Sequence, residues 1–109
     1  MTLLLNRNWF PPDQSSKIAT RYVEWLNEHP PDKTIEKNLG IGVTSAENGN
    51  ILVYGIGQIM EGKEKEALLI NTQQNLFMAT AIKDFKYKTE IMLDFSEAYK
   101  ILGMTAPEV

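Results

Sequence analysis

The chain has 109 residues, 43% of them hydrophobic and 23% charged, with a formal net charge of −3. That composition excludes wholesale disorder, and the negative balance gives no electrostatic reason to bind nucleic acid or an anionic membrane. The absence of cysteine excludes disulfides, thiolate catalysis and thiolate metal sites.

No apolar run approaches the ~20 residues of a membrane span. The opening Met1-Thr2-Leu3-Leu4-Leu5 is too short for a signal-peptide core and has no basic leader. The expectation is a cytoplasmic protein whose residues 1–103 form one domain, with 104–109 a frayed tail.

Residues 2–10 predict a first strand, apolar at its start, polar in its middle and aromatic at its end; Pro11-Pro12 stops it because proline cannot donate to a sheet ladder. Asp13 is expected to cap the helix that follows. Ile18, Tyr22, Trp25 and Leu26 recur at helical spacing, with Ala19 and Val23 beside them, and Pro30-Pro31 ends that helix near Glu28.

Residues 35–44 alternate as a strand, with Ile35, Lys37, Leu39, Ile41 and Val43 against Glu36, Asn38, Gly40, Gly42 and Thr44. Asn48-Gly49 is a favoured two-residue type I′ hairpin turn, and Ile51 to Met60 is the returning strand. That turn opposes Gly42 to Gly55 and Gly40 to Gly57, so all four glycines are expected on one face with Asn38, Val53 and Ile59. The face carrying Leu39, Ile41, Val43, Tyr54, Ile56 and Gln58 is expected under the helices.

From Glu61-Gly62 to about Lys83 a second helix is expected, with Ala67, Ile70, Gln74, Phe77, Met78, Ala81 and Ile82 on one face. Leu68, Leu69 and Leu76 fall elsewhere, which predicts either an interruption near Asn71-Thr72 or a second covered surface. Residues 86–95 alternate again as a fourth strand. Ser96 caps a short helix that Gly103 stops.

The order β-α-β-β-α-β plus a short terminal helix is an α+β, ferredoxin-like arrangement: a four-stranded antiparallel sheet with two helices on one face. With the glycines on the uncovered face, a second molecule is expected there, because bare strand positions admit close approach.

That order resembles the dimeric α+β barrel superfamily, in which two ferredoxin-like subunits stack sheet on sheet. The resemblance rests on the strand ending in Pro11-Pro12, the glycine-bearing hairpin around Asn48-Gly49, and Phe85-Lys86-Tyr87-Lys88-Thr89-Glu90 leading to Ser96-Glu97-Ala98. It implies a homodimer joined through Gly40, Gly42, Val53, Gly55, Gly57 and Ile59. It also implies a small apolar ligand held between the two sheets.

The superfamily contains cofactor-free monooxygenases, haem-degrading enzymes and lactone isomerases, so the alternative is a monooxygenase or isomerase acting in the barrel cavity without a cofactor. Asn6, Arg7, Asn8, Trp9 and Asn38 are the ligand-binding candidates. Adjacent strand residues point to opposite faces, so Asn8 and Trp9 cannot both enter one pocket directly. An Arg7–Glu90 pair is expected from neighbouring first and fourth strands.

No catalytic residue is identifiable. His29, the lone histidine, cannot form a metal cluster by itself, and its position at a helix end suits the helix dipole. The superfamily's haem-degrading members use a histidine on the second helix, and this chain has none there. Gly40-x-Gly42 and Gly55-x-Gly57 do not precede a helix with a lysine in place, so they are not a phosphate loop. An RNA-recognition surface is excluded by the negative charge and by glycines where that topology needs exposed aromatics.

Overall fold

The computed structural model describes all of residues 1–109. Strand β1 (Thr2–Phe10) runs into a 3-10 turn (Pro12–Gln14) and helix α1 (Ser15–Glu28). Strands β2 (Glu36–Ser45) and β3 (Ile51–Ile59) form a hairpin, followed by α2 (Glu64–Ala79), β4 (Lys86–Leu93) and the short α3 (Phe95–Ile101). The sheet order is β2-β3-β1-β4, every pair antiparallel, which is the ferredoxin-like topology. The smallest dimension is 18 Å, the thickness of one sheet and one helical layer. Residues 104–109 carry neither helix nor strand.

The helix ends depart from the sequence expectation in detail. Asp13 lies inside the 3-10 turn and caps nothing; the Ser15 hydroxyl instead donates to the Pro12 carbonyl at 2.7 Å. Ser96 is not the cap of α3 either. Asp94 is, its Oδ1 accepting from the Glu97 N–H at 2.8 Å. That backbone bond holds the Asp94 carboxyl below its ordinary pKa. Helix α2 runs uninterrupted through Asn71-Thr72, so its off-stripe Leu68, Leu69 and Leu76 remain exposed. Helix α1 is clamped to the end of α2 by Arg21, whose guanidinium donates twice to the Phe77 carbonyl at 3.1 Å and lies 3.4 Å from the Phe77 ring centroid. Those bonds satisfy a carbonyl the helix end leaves unpaired.

The main correction concerns the hairpin. Asn48-Gly49 is not a two-residue type I′ turn: Gly49 has φ +84, but Asn48 is not among the positive-φ residues. The Gly49 N–H bonds to the Ala46 carbonyl at 3.1 Å, and the Ala46 N–H to the Asn50 carbonyl at 2.8 Å. This is a three-residue loop with Gly49 at the left-handed position. One extra residue shifts the register by one, and a one-residue slip flips a whole strand relative to its partner.

Gly42 therefore opposes Tyr54, Gly40 opposes Ile56, Gly55 opposes Ile41 and, beyond a bulge at Leu39, Gly57 opposes Asn38. The four glycines do not share a face. Gly40 and Gly42 lie with Tyr54 and Ile56; Gly55 and Gly57 lie with Asn38, Ile41, Val43, Val53 and Ile59.

Strand β1 fixes which face is covered. Leu4 and Phe10 are buried beneath the helices, and Leu4 pairs with Gly57 while Thr2 pairs with Ile59. The covered face thus holds Asn38, Val53, Gly55, Gly57 and Ile59, the reverse of the expected assignment, whereas Ile41 and Val43 lie on it as expected. Leu4, Ile59 and Ala67 form the tightest part of the core, with Ile35 packed against it. Two of the glycines seat a side chain of the neighbouring strand. A Cβ on Gly57 would overlap the Glu36 carboxylate, and one on Gly42 would overlap the Tyr54 ring.

The open face carries Leu3, Leu5, Arg7 and Trp9 of β1, with Leu52, Tyr54 and Ile56 of β3. Arg7 pairs with Glu90 there, as expected from adjacent strands, and its guanidinium sits 5.5 Å from the Trp9 ring centroid. Only nine of the 109 residues are buried, because a single sheet is covered on one side alone. No helix is long and apolar enough to cross a membrane.

Candidate functional site

Between the covered face of the sheet and helix α1 lies a cavity of about 370 Å³, open on one side. Its floor comes from β1, β2 and β3, through Leu4, Asn6, Asn8, Asn38, Ile41, Val53 and Gly55. Its walls are Tyr22, Trp25 and His29 of α1, the Pro30–Asp32 connection, Ile35 and Glu36, and Ile70, Asn71 and Gln74 of α2.

Two features of the chain create this space. Gly55 contributes no side chain to the floor, and the nearest atoms to a Cβ built there are 3.9 Å away. Beta-strand β2 extends beyond the helices, leaving Ile41 56% and Val43 68% exposed on the covered face.

The polar end of the floor is organised by Asn75, which is completely buried. Its Nδ2 donates to Asn6 Oδ1 at 2.8 Å and to Thr89 Oγ1 at 3.1 Å. Its Oδ1 accepts from Asn6 Nδ2 at 3.2 Å and Asn8 Nδ2 at 3.0 Å. The Thr89 hydroxyl closes the ring by donating to Asn6 Oδ1 at 2.9 Å. Asn6, Asn75 and Thr89 are each held by two or more bonds, and Asn8 is tied to them by its single bond to Asn75. The network leaves Asn8 Oδ1 with no protein donor and fixes it at the cavity floor.

The second polar feature is Glu36, the first residue of β2. Its Oε1 accepts from Asn71 Nδ2 at 2.9 Å, and Asn71 is itself anchored by donating to the Ala67 carbonyl at 2.9 Å. Burial pushes the Glu36 carboxyl above its ordinary pKa, and the Asn71 bond only partly offsets this. A carboxyl whose folded pKa is raised contributes stability below the unfolded value, and that stability is lost as pH rises through the folded value. Glu36→Gln is therefore expected to be more stable than the natural chain at neutral pH, with the difference vanishing below about pH 4, near the unfolded carboxyl range. Thermal melts of both proteins across that range measure it; a constant difference at all pH values would contradict the assignment.

The aromatic wall is a packed unit. Trp25, 5% exposed, stacks on His29 with ring centroids 3.8 Å apart and planes 14° apart, and leans on Phe77 at 5.5 Å. His29 thus serves the wall of the cavity as well as the end of α1. No three histidine, aspartate or glutamate side chains come together as a metal site.

Of the sequence candidates, Asn6, Asn8 and Asn38 line this cavity, whereas Arg7 and Trp9 lie on the other face of the sheet. Of the interface candidates, only Gly40 and Gly42 stand on the open face; Val53 and Gly55 line the cavity, and Gly57 and Ile59 are buried. The cavity belongs to one chain and does not depend on a space between two sheets. Sequence reasoning missed Glu36, Asn71 and Asn75. The signal for Asn71 and Asn75 was their spacing with Gln74, at i, i+3 and i+4, which sets three amides on one side of α2, whereas no local pattern marked Glu36.

No family model and no curated protein matches the sequence. Among solved structures the chain is similar to the designed protein Foldit4, at TM-score 0.55 and 7% identity, covering 86% of this chain and 99% of that one. It is similar to a conserved protein of Methanosarcina mazei at TM-score 0.53 and 11% identity, covering 84% and 89%. It is also similar to Rv0793 of Mycobacterium tuberculosis at TM-score 0.50 and 8% identity, covering 90% and 99%. At such identities the likeness is one of fold, and a designed protein shares it as fully as natural ones.

Proposed function

We propose that the chain is a small-molecule-binding protein whose site is the cavity between its sheet and helix α1. The observation that carries this reading is a pocket of about 370 Å³ that combines apolar and aromatic walls with polar side chains, of which Asn8 and Glu36 are held by hydrogen bonds. Ligand sites are built in this way and at this size. The ligand is a small, largely apolar molecule. A thermal-shift screen of such molecules tests the reading: a ligand at a hundred times its Kd adds about 2.7 kcal/mol of apparent stability. A screen without a single stabilising compound would contradict it.

A second copy of the chain is the proposed partner on the open face, forming a dimeric α+β barrel. Leu5, Trp9, Leu52 and Ile56 give that face its apolar centre, and Gly40 and Gly42 lower its edge. Light scattering at micromolar concentration is expected to give twice the 12.4 kDa chain mass. Gly42→Val, which displaces the Tyr54 ring, is expected to weaken the dimer by about tenfold or more. A strictly monomeric natural chain would contradict this.

Catalysis in the same cavity, as a cofactor-free oxygenase or isomerase, is the second reading. It is favoured by the strand-one amides Asn6 and Asn8 lying at the cavity rather than in a packed interior. Dioxygen consumption or isomerised product with a ligand from the screen distinguishes it from binding alone.

A further inference from the structure

The cavity's charge composition narrows what it can hold. Glu36 is a half-buried carboxyl in its lining, and no lysine or arginine is among the lining residues. Asn71 supplies its one protein hydrogen bond, to Oε1, while Oε2 lies over the bare backbone of Gly57 and receives no donor. An ionised carboxylate withdrawn from water is unfavourable without a partner of opposite charge. No ion pair of the protein includes Glu36, and His29, the one basic side chain in the lining, stacks on Trp25 instead.

The remaining polar atoms point the same way. Asn8 Oδ1 is a free acceptor held at the floor by the Asn75 network. Asp32, at the rim, has its Oδ1 occupied by the Thr34 N–H at 2.9 Å and hydroxyl at 2.6 Å. Tyr22 and Trp25 of α1 also line the cavity and give it an aromatic wall that suits an apolar body.

We propose that the cavity takes a small molecule consisting of an apolar body and one protonated amine, with the amine on Glu36 and the body against Trp25 and Tyr22. This rests on the reading of the cavity as a ligand site. The amine supplies the missing counter-charge and several N–H donors. An alcohol satisfies a hydrogen bond but leaves the charge uncompensated, and a carboxylate meets Glu36 as a like charge, which selects against it.

The test uses phenethylamine, phenethyl alcohol and phenylacetate, three probes on one skeleton, titrated calorimetrically into the full chain and into Glu36→Gln at neutral pH. The amine is expected to bind about tenfold or more tightly than the alcohol, with phenylacetate weakest. Glu36→Gln is expected to reduce the amine's lead over the alcohol to about twofold or less. Equal binding of all three, or an amine preference that survives Glu36→Gln, overturns the amine assignment and leaves the cavity reading standing. Binding of none of the three also overturns it. Whether the cavity reading then falls is decided separately, by the neutral compounds of the thermal-shift screen.

Discussion

Replacing Asn75 by alanine is expected to destabilise the fold by roughly 3 kcal/mol, the largest effect of any single polar substitution in the chain. Asn75 is completely buried and is the common partner of Asn6, Asn8 and Thr89. Alanine removes the amide and leaves those groups facing one another with donors and acceptors unmatched. Each unsatisfied buried group costs about 1–3 kcal/mol, and the Asn6–Thr89 bond retains only part of the network. Since a domain of this size has about 5–15 kcal/mol of stability, the variant should fold but melt well below the natural chain. Chemical denaturation measures the change. A loss under about 1 kcal/mol would mean that the amide ring holds the sheet to α2 far less than its geometry implies. Ligand affinity should fall with it, because Asn8 Oδ1 is no longer held in place.

Gly55→Val is expected to behave in the opposite manner, keeping the fold and abolishing binding. A Cβ on Gly55 meets nothing closer than the Gly40 carbonyl and Ile41 Cγ1, both at 3.9 Å, so the backbone accepts it without movement. Valine also suits a strand better than glycine, and stability should stay within about 1 kcal/mol of the natural chain or rise. The added methyl groups stand on the cavity floor, where a ligand of the proposed size would rest. Affinity for any compound found by thermal shift should fall at least about tenfold, as expected for overpacking of a fitted site. The dimer should be unchanged, because Gly55 is on the covered face. The two glycines thus separate the two proposals: Gly42→Val tests the partner and Gly55→Val tests the pocket. Retained binding in Gly55→Val would remove the cavity as the site.

The element order was legible because its signals are local. Pro11-Pro12 and Pro30-Pro31 bracket α1, strand alternation marks β4, and Gly103 stops α3. There the Met104 N–H bonds to the Tyr99 carbonyl and the Gly103 N–H to the Lys100 carbonyl. The hairpin register was not legible. It depends on whether Asn48-Gly49 is the whole turn or the end of a longer one, a difference of one residue that moves Gly55 from an interface to a pocket floor. Strand β1 could not settle the faces either. It is apolar on both, with Leu3 and Leu5 opposite Leu4, and Trp9 opposite Phe10.

The site was half visible for the same reason. Asn6, Asn8 and Asn38 were identifiable as polar interruptions of strands, and all three reach the cavity. Arg7 and Trp9 were their chain neighbours and fell to the other side. Alternation put Glu36 on the face expected to be uncovered, whereas the fold sets it over Gly57 beside Asn71 of α2. Its environment is made by residues distant in sequence, among them Asn71, which no local pattern joins to it.

The chain's two tryptophans distinguish binding in the cavity from binding on the open face, because they stand on opposite sides of the sheet: Trp25 of α1 beside the cavity and Trp9 on the open side. The measurement is an amide and indole correlation spectrum of isotopically labelled protein, titrated with a compound that raises its melting temperature. Binding in the cavity predicts that the Trp25 indole and the side-chain amides of Asn8, Asn38 and Asn71 shift together while the Trp9 indole stays fixed. A shifted Trp9 indole with Trp25 unmoved would contradict the account and move the binding surface to the open face.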